Sequence, residues 1–428
     1  MRFAEVVAVA EGPTVIRAKA LFDGTGAPPV RNAVAVVEGS RIVAAGAEGE
    51  VEAPRGSQVR ELDYRDGYLL PGLIDAHTHL MFGAGDATYE EVIERDSDQV
   101  MLLRAARNAH THLSAGVTTL RDCGARNQVT FDLRRGVRQG LALAPRLLLS
   151  GRPVTTTGGH FWWCNQEADG VEGVRKAVRH LVRDGADFIK IMASGGGTAG
   201  TDPRRPSYSV EELRAIVDEA HNLGKPATAH CIATQSIVNA LDAGVDSIEH
   251  ATFIEPDGSY RFNPWIAERI AQQGVRVSPT VQTGYRKREK LLARKEQGHA
   301  LTSQEEQRLE ALNVKCERQV EFLGRLWSEW EVSIVAGTDS IQTFGDYCLG
   351  LELQVQAGMD PADVIRSATS VAARAVGLAD VVGTVEPGRE ADLIVVDQDP
   401  LGDIRALRSM RMVMQRGAVV PPPVDTGF

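Results

Sequence analysis

Residues 187–197 read DFIKIMASGGG, residues 209–224 SVEELRAIVDEAHNLG, and residues 226–233 PATAHCIA. The first and third are short apolar runs stopped by polar or Gly-rich sequence, as strands buried on both faces are. The stretch between them repeats its apolar residues every three to four positions and closes on Gly224, as an amphipathic helix with a left-handed cap does. Strand, helix, strand in this order is the unit of a parallel sheet.

The same unit recurs on both sides. GLIDAHTHL (72–80), GVTTLRDCG (116–124) and PRLLLSGRPV (145–154) precede it; SIEHATF (247–253), VRVSPTVQ (275–282) and SIVAGTDS (333–340) follow it. Amphipathic stretches at 98–116, 171–187 and 233–244 separate them, and Gly116, Gly185, Gly224 and Gly244 punctuate the helix ends. Eight strand candidates predict an α/β architecture, a (β/α)8 barrel over residues 71–378.

The two ends have another rhythm. VVAVA (6–10), TVIRAKALF (14–22), AVAVVEGSRIVAAG (33–46) and VRELDYRDGYLL (59–70) are short strands broken by turn residues. So are VGTVEPGREADLIVVDQDP (382–400) and MRMVMQRGAVV (410–420). Residues 1–70 and 379–428 are therefore expected to meet in one β-sandwich, with the barrel inserted between them. Between Tyr285 and Cys316 the chain is densely charged with a helical period. A solvated helical hairpin is the expectation there, and a lid over the barrel mouth the functional alternative.

Of 428 residues, 47 are Lys or Arg and 57 Asp or Glu, giving a formal net charge of −10. That balance argues against nucleic acid or an acidic membrane as partner and leaves a small-molecule substrate. No apolar run is long enough to span a bilayer, and the first residues lack a signal-peptide pattern. Cys123, Cys164, Cys231, Cys316 and Cys348 are odd in number and scattered, which suits free thiols in a cytoplasmic protein. Association into a homo-oligomer is expected as the common state of soluble enzymes.

The polar residues at strand ends carry the chemistry. His77 and His79 are two apart, so both imidazoles point to one side of a strand. Asp75 precedes them as an acceptor that can orient a ring. His230 ends PATAH, His250 ends SIEH and Asp339 ends SIVAGTD. Four histidines and a carboxylate converging on one mouth form a nitrogen–oxygen site suited to Zn²⁺ or a similar divalent ion. Lys190 points inward from DFIKIMASGGG. An ammonium has no lone pair to offer a metal. As a carbamate formed with CO2 it becomes an anion with two oxygens, able to bridge two cations.

With PGLIDAHTHL, Gly158–His160 (GGH), Glu167–Gly170 (EADG), GADFIKIMASGG, HCIATQ, IEHAT, AGTDS and VGTVEPGREADLIVVDQDPL in place, the chain resembles the amidohydrolase superfamily along its whole length. The resemblance is to its imidazolonepropionase-like and Xaa-dipeptidase-like branch. It implies that His77, His79 and Asp339 hold one metal, that His230 and His250 hold a second, and that carboxylated Lys190 bridges them. The reaction expected is hydrolysis of an amide-type C–N bond in an N-acyl amino acid, dipeptide, carbamate or urea by a metal-bridging hydroxide. Asp339 would shuttle the proton and His160 would stabilise the oxyanion or bind the carbonyl.

Substrate contacts are expected from Arg204, Arg205 and Tyr208 as a carboxylate clamp, from Trp162 in the FWWC run beside His160, and from Gln282 and Tyr285 after the seventh strand. Cys231 and Ile232 follow His230 where dipeptidase-like relatives commonly carry a Tyr, which weakens the peptidase expectation. The alternatives are a mononuclear ring-opening hydrolase or deaminase of the imidazolonepropionase type, a phosphotriesterase-like activity, and a non-enzymatic scaffold.

Overall fold

The computed structural model describes residues 12–83, 89–164 and 166–421. The strand expected at 6–10 lies outside the described residues. Four strands come first: β1 (Thr14–Leu21), β2 (Val30–Glu38), β3 (Arg41–Ala47) and β4 (Arg60–Pro71). A parallel set follows: β5 (Leu73–Thr78), β6 (Val117–Asp122), β7 (Arg146–Leu149), β8 (Val154–Thr155) and β9 (Gln166–Glu167), then β10 (Ile189–Met192), β11 (Ala227–Ala233), β12 (Ser247–Ile254) and β13 (Arg276–Ser278). The chain closes with β14 (Leu393–Val396), β15 (Met410–Gln415) and β16 (Ala418–Val419).

Both chain ends meet in one sheet, ordered β16-β15-β14-β4-β1-β2-β3. The expected sandwich is thus a single hydrogen-bonded seven-stranded sheet among the described residues. Its inner face closes on one core, which joins Ile16, Ala35 and Ile42 from the first end to Leu393, Val395 and Met414 from the last. β14 pairs antiparallel with β4, and β4 runs through Gly72 straight into β5. A Cβ on Gly72 would sit 2.2 Å from the Thr118 hydroxyl, so the crossing between the two parts requires glycine.

The central region is mixed α/β. Its strands form the parallel sheets β5-β6-β7 and β13-β12-β11-β10-β8-β9. The amide of Asp187 bonds to the Leu149 carbonyl at 2.8 Å and ties the two together at β7 and β10. On the other side, parallel bridges join Val277 to Ile334 and Thr78 to Ser340, so residues 333–340 run between β13 and β5. Every residue of β5, β6 and β10 is buried, as expected for strands covered on both faces. The helix Val210–Asn222 packs outside, started by a Ser209–Glu212 capping box. Gly185 and Gly244 end their helices with φ of 107° and 83°, as the sequence predicts.

The charged segment forms two helices, Tyr285–Glu296 and Ser303–Ser328, the second started by a Thr302–Glu305 capping box. Among the described residues no helix is long and apolar enough to cross a membrane.

Candidate metal centre and active site

The C-terminal ends of the parallel strands place the polar residues. His77 and His79 leave β5 on one side of the strand, and the Asp339 amide bonds back to the His77 carbonyl at 2.7 Å. Met192 and His230 are register partners on β10 and β11, as Cys231 and His250 are on β11 and β12. Ring centroids lie 5.4 Å apart for His77–His79, 5.2 Å for His77–His250, 4.6 Å for His230–His250 and 4.7 Å for His160–His230. The five histidines, Lys190 and Asp339 thus line one cavity of about 380 Å³. A larger hollow of about 680 Å³ lies on the terminal sheet, but its lining holds no histidine and a single acid, Asp399. The chemistry belongs to the smaller cavity.

Each ring is oriented by its second nitrogen. His77 Nδ1 donates to Glu249 Oε2 at 2.7 Å, and His79 Nδ1 donates to the Gly124 carbonyl at 3.1 Å. A neutral imidazole carries one proton, so both Nε2 atoms present lone pairs. They face Asp339 Oδ1 at 3.5 Å and 3.4 Å. Lone pairs gathered with no proton between them repel unless a cation lies there. Ligand atoms of His77, His250 and Asp339 all fall within 4.8 Å of one another, a set able to hold a metal ion. His250 Nδ1 pairs with the Thr280 hydroxyl at 2.7 Å, and His230 Nε2 lies 3.1 Å from the Gly195 carbonyl. His250, Ala251, Thr280 and Asp339 adopt left-handed backbone, with φ of 71°, 48°, 45° and 51°. Strain concentrated in this way is typical of functional sites.

Charge in the site is held by burial and partners. Burial pulls His77 down to about 4 and His160 to about 3, helped by the nearby Lys190 ammonium. His230 and His250 are lowered too, burial first; the neighbouring His250, His160 and Lys190 add to it at His230, whereas at His250 burial outweighs the opposing Asp339 carboxylate. Burial alone would raise Asp339, but His77, His79 and His250 outweigh it and hold the carboxyl well below its usual range. Lys190 is 1% exposed, and its Nζ has no hydrogen-bond partner.

Beneath the rings lies a buried network that the sequence reading missed. Glu249 is 0% exposed and accepts from Arg121 at 2.6 Å and from Thr228 Oγ1 at 2.5 Å, besides His77. Burial opposes its ionisation, but Arg121 and His77 hold it well below the usual carboxylate range. Its only visible signal is its place directly before His250 in a strand without other charge. Cys123 lies close to His77 and Glu249, yet burial raises its thiol to about 12 and both Glu249 oxygens are engaged.

Several expected contacts fall elsewhere. Asp75 accepts from the amides of His77 and Thr338 and from the Thr338 hydroxyl, so it braces the backbone of two strands instead of orienting a ring. Arg204 and Arg205 are exposed and paired locally with Asp202, so they form no clamp in the cavity. Tyr208 is buried and donates to the Ala168 carbonyl at 2.8 Å. Trp162 is 47% exposed, and it is Phe161 that lines the cavity, stacked on His160. Gln282 is outside the lining of the main cavity; it packs against Gly350 in one small crevice and lines another with Asp339 and Lys287. Tyr285 lies beside Arg288, also outside the lining. The charged helices are more than a solvated hairpin: Lys287, Arg308, Leu312, Lys315 and Gln319 form part of the cavity wall.

Comparison with known proteins agrees with this geometry. The profile of the amidohydrolase family matches residues 68–420. The chain is 29% identical to an ochratoxinase of Aspergillus niger over 94% of its own length and 84% of the relative's. A solved Xaa-Pro dipeptidase with bound methionine in its active site superimposes with a TM-score of 0.82 at 26% identity, covering 96% of this chain and 100% of that one. The solved ochratoxinase of A. niger gives a TM-score of 0.79 at 27% identity, covering 95% of each chain. These structural relatives imply a TIM barrel with an additional domain. The chain belongs to the amidohydrolase family and is a metal-dependent hydrolase of amide-type carbon–nitrogen bonds.

Proposed function

We propose that the chain is a binuclear amidohydrolase in which the parallel strands form a (β/α)8 barrel over residues 71–378, with the two chain ends as its accessory β domain. His77, His79 and Asp339 would hold one divalent cation, His230 and His250 a second, and Lys190 would bridge them as its carbamate. One observation carries this reading: the Lys190 nitrogen is buried among histidines with no hydrogen-bond partner. An unpaired buried ammonium is costly. The ammonium first gives up one proton; bonding of the freed amine nitrogen to the carbon of CO2 releases a second, and the cation is replaced by a carbamate anion.

Two divalent ions held there, Zn²⁺ among the candidates by donor set, would supply polarisation of a carbonyl and a water whose pKa lies near neutrality. The protein's own groups do the rest. Asp339 accepts the proton of the attacking water and returns it to the leaving nitrogen, a transfer worth roughly 10²–10⁴-fold. The Thr198 hydroxyl accepts from the Phe161 amide and lies 2.8 Å from His160 Nδ1. With Thr198 donating to Nδ1, the single proton of the neutral ring sits on Nε2. That N–H is the donor for the carbonyl oxygen as it gains charge.

Metal-loaded protein is expected to hydrolyse members of a panel of N-acyl amino acids, dipeptides, carbamates and phenylureas faster than an aryl phosphotriester. Absence of turnover across the whole panel counts against the reading. Lys190→Ala separates it from a mononuclear mechanism: a binuclear enzyme loses nearly all activity, and a mononuclear one keeps most of it.

A further inference from the structure

The cavity has a cationic wall that the proposed chemistry does not use. Lys287 comes from the helix Tyr285–Glu296, and Arg308 and Lys315 from the helix Ser303–Ser328. Positions 308, 312 and 315 share one helical face, and all three line the cavity. The Lys315 ammonium reaches the edge of that wall, where a Cβ on Gly284 would be 3.8 Å from it. Neighbouring charges on the same helices are engaged elsewhere: Arg286 with Asp346, Arg288 with Asn313, Arg294 with Glu305 and Arg318 with Glu321. Lys287, Arg308 and Lys315 have no hydrogen bond or ion pair among the described residues. The one carboxylate in the described lining is Asp339, which faces His77 and His79.

Lys287 and Lys315 are half-buried and Arg308 is exposed beside them; burial, with repulsion from Arg308 and Lys315, lowers Lys287. Asp339 acts on Lys315 through space, but no carboxylate among the described residues pairs with Lys287, Arg308 or Lys315, which leaves the wall complementary to an anion that arrives from outside. We propose that the substrate carries a carboxylate beside the scissile amide, and that Lys287 and Lys315, with Arg308 at the mouth, select it. This rests on the proposed amidohydrolase reading and narrows it. Of the substrate classes above, N-acyl amino acids and dipeptides carry that group next to the leaving nitrogen, whereas phenylureas do not. The clamp sought at Arg204 and Arg205 thus lies on the two charged helices.

The test uses full-length, metal-loaded protein and matched pairs of N-acyl amino acids, each as the free carboxylate and as its carboxamide. Wild type is expected to favour the carboxylate in kcat/KM by about tenfold or more, chiefly through KM. In Lys287→Met/Lys315→Met that ratio should fall to near one, while Lys287→Arg/Lys315→Arg should keep it, since charge and not volume is read. Equal rates on both members of every pair, or a ratio unchanged in the Met variant, overturns this inference and leaves the hydrolase reading intact. Hydrolysis of neither member of any pair, with the dipeptide, carbamate and urea panel also inert, overturns both.

Discussion

Glu249→Gln is the most informative single substitution beneath the site. The carboxylate is 0% exposed and is shared by Arg121 at 2.6 Å, His77 at 2.7 Å and Thr228 at 2.5 Å. Arg121 is 6% exposed, and its other bond is to the Ala76 carbonyl. The amide keeps the shape but removes the charge and one acceptor. It leaves a buried guanidinium without its counter-ion, which costs about 3–5 kcal/mol. His77 also loses the anion that fixes its tautomer, so metal affinity should fall about 10–100-fold. Urea unfolding followed by tryptophan fluorescence reads the first effect, and competition with a metal indicator reads the second. The pair Arg121→Met/Glu249→Met should lose less stability than the two single variants added together, because no charge is stranded. A stability loss below about 1 kcal/mol for Glu249→Gln, the range of exposed ion pairs, would refute the reasoning.

Other perturbations reach separate parts of the account. His112 is fully buried against Phe344 with neither ring nitrogen bonded, and burial lowers it from 6.5 to about 4. It folds neutral and unfolds to a ring that protonates near 6.5, so stability should fall as pH drops from 6.5 to 4. That loss is on the order of 3 kcal/mol; His112→Met should remove it, and an identical pH profile in the variant would contradict the assignment. Gly196 faces His160, where an added Cβ would lie 2.5 Å from the ring. Gly196→Ala should therefore cut kcat at least about tenfold with little change in melting temperature, and unaltered kinetics would argue against a role for His160. Tyr347 donates from a buried hydroxyl to the Ile74 carbonyl at 2.6 Å beneath the strand carrying His77. Tyr347→Phe should cost about 1–2 kcal/mol by the same unfolding assay.

The parts of this molecule written in short-range periodicity were readable from the chain alone. Two histidines two apart on an apolar strand must share a side, and strand-end placement of His230, His250 and Asp339 brings them to one mouth once the strands are parallel. The buried network was not readable. Glu249 and Arg121 are 128 positions apart, on β12 and β6, which belong to different sheets, so no strand register pairs them and only the closing of the two sheets on one interior brings them together. The charged helices misled for a physical reason. Composition reports how many charges a helix carries, not which face meets the cavity, and Lys287 and Lys315 differ from Arg286 and Arg318 only in direction. Arg204 and Arg205 misled in the opposite sense, because Asp202 two and three residues earlier satisfies both within the turn.

The central claim is that two cations share this site across Lys190. Metal content per chain, measured by plasma mass spectrometry on protein purified without chelator, tests it most directly when wild type and Lys190→Met are compared. The account predicts about two ions per wild-type chain, as two-metal hydrolysis requires, and about one or none in the variant. About one ion in the wild type, with the same content after Lys190→Met, would contradict it.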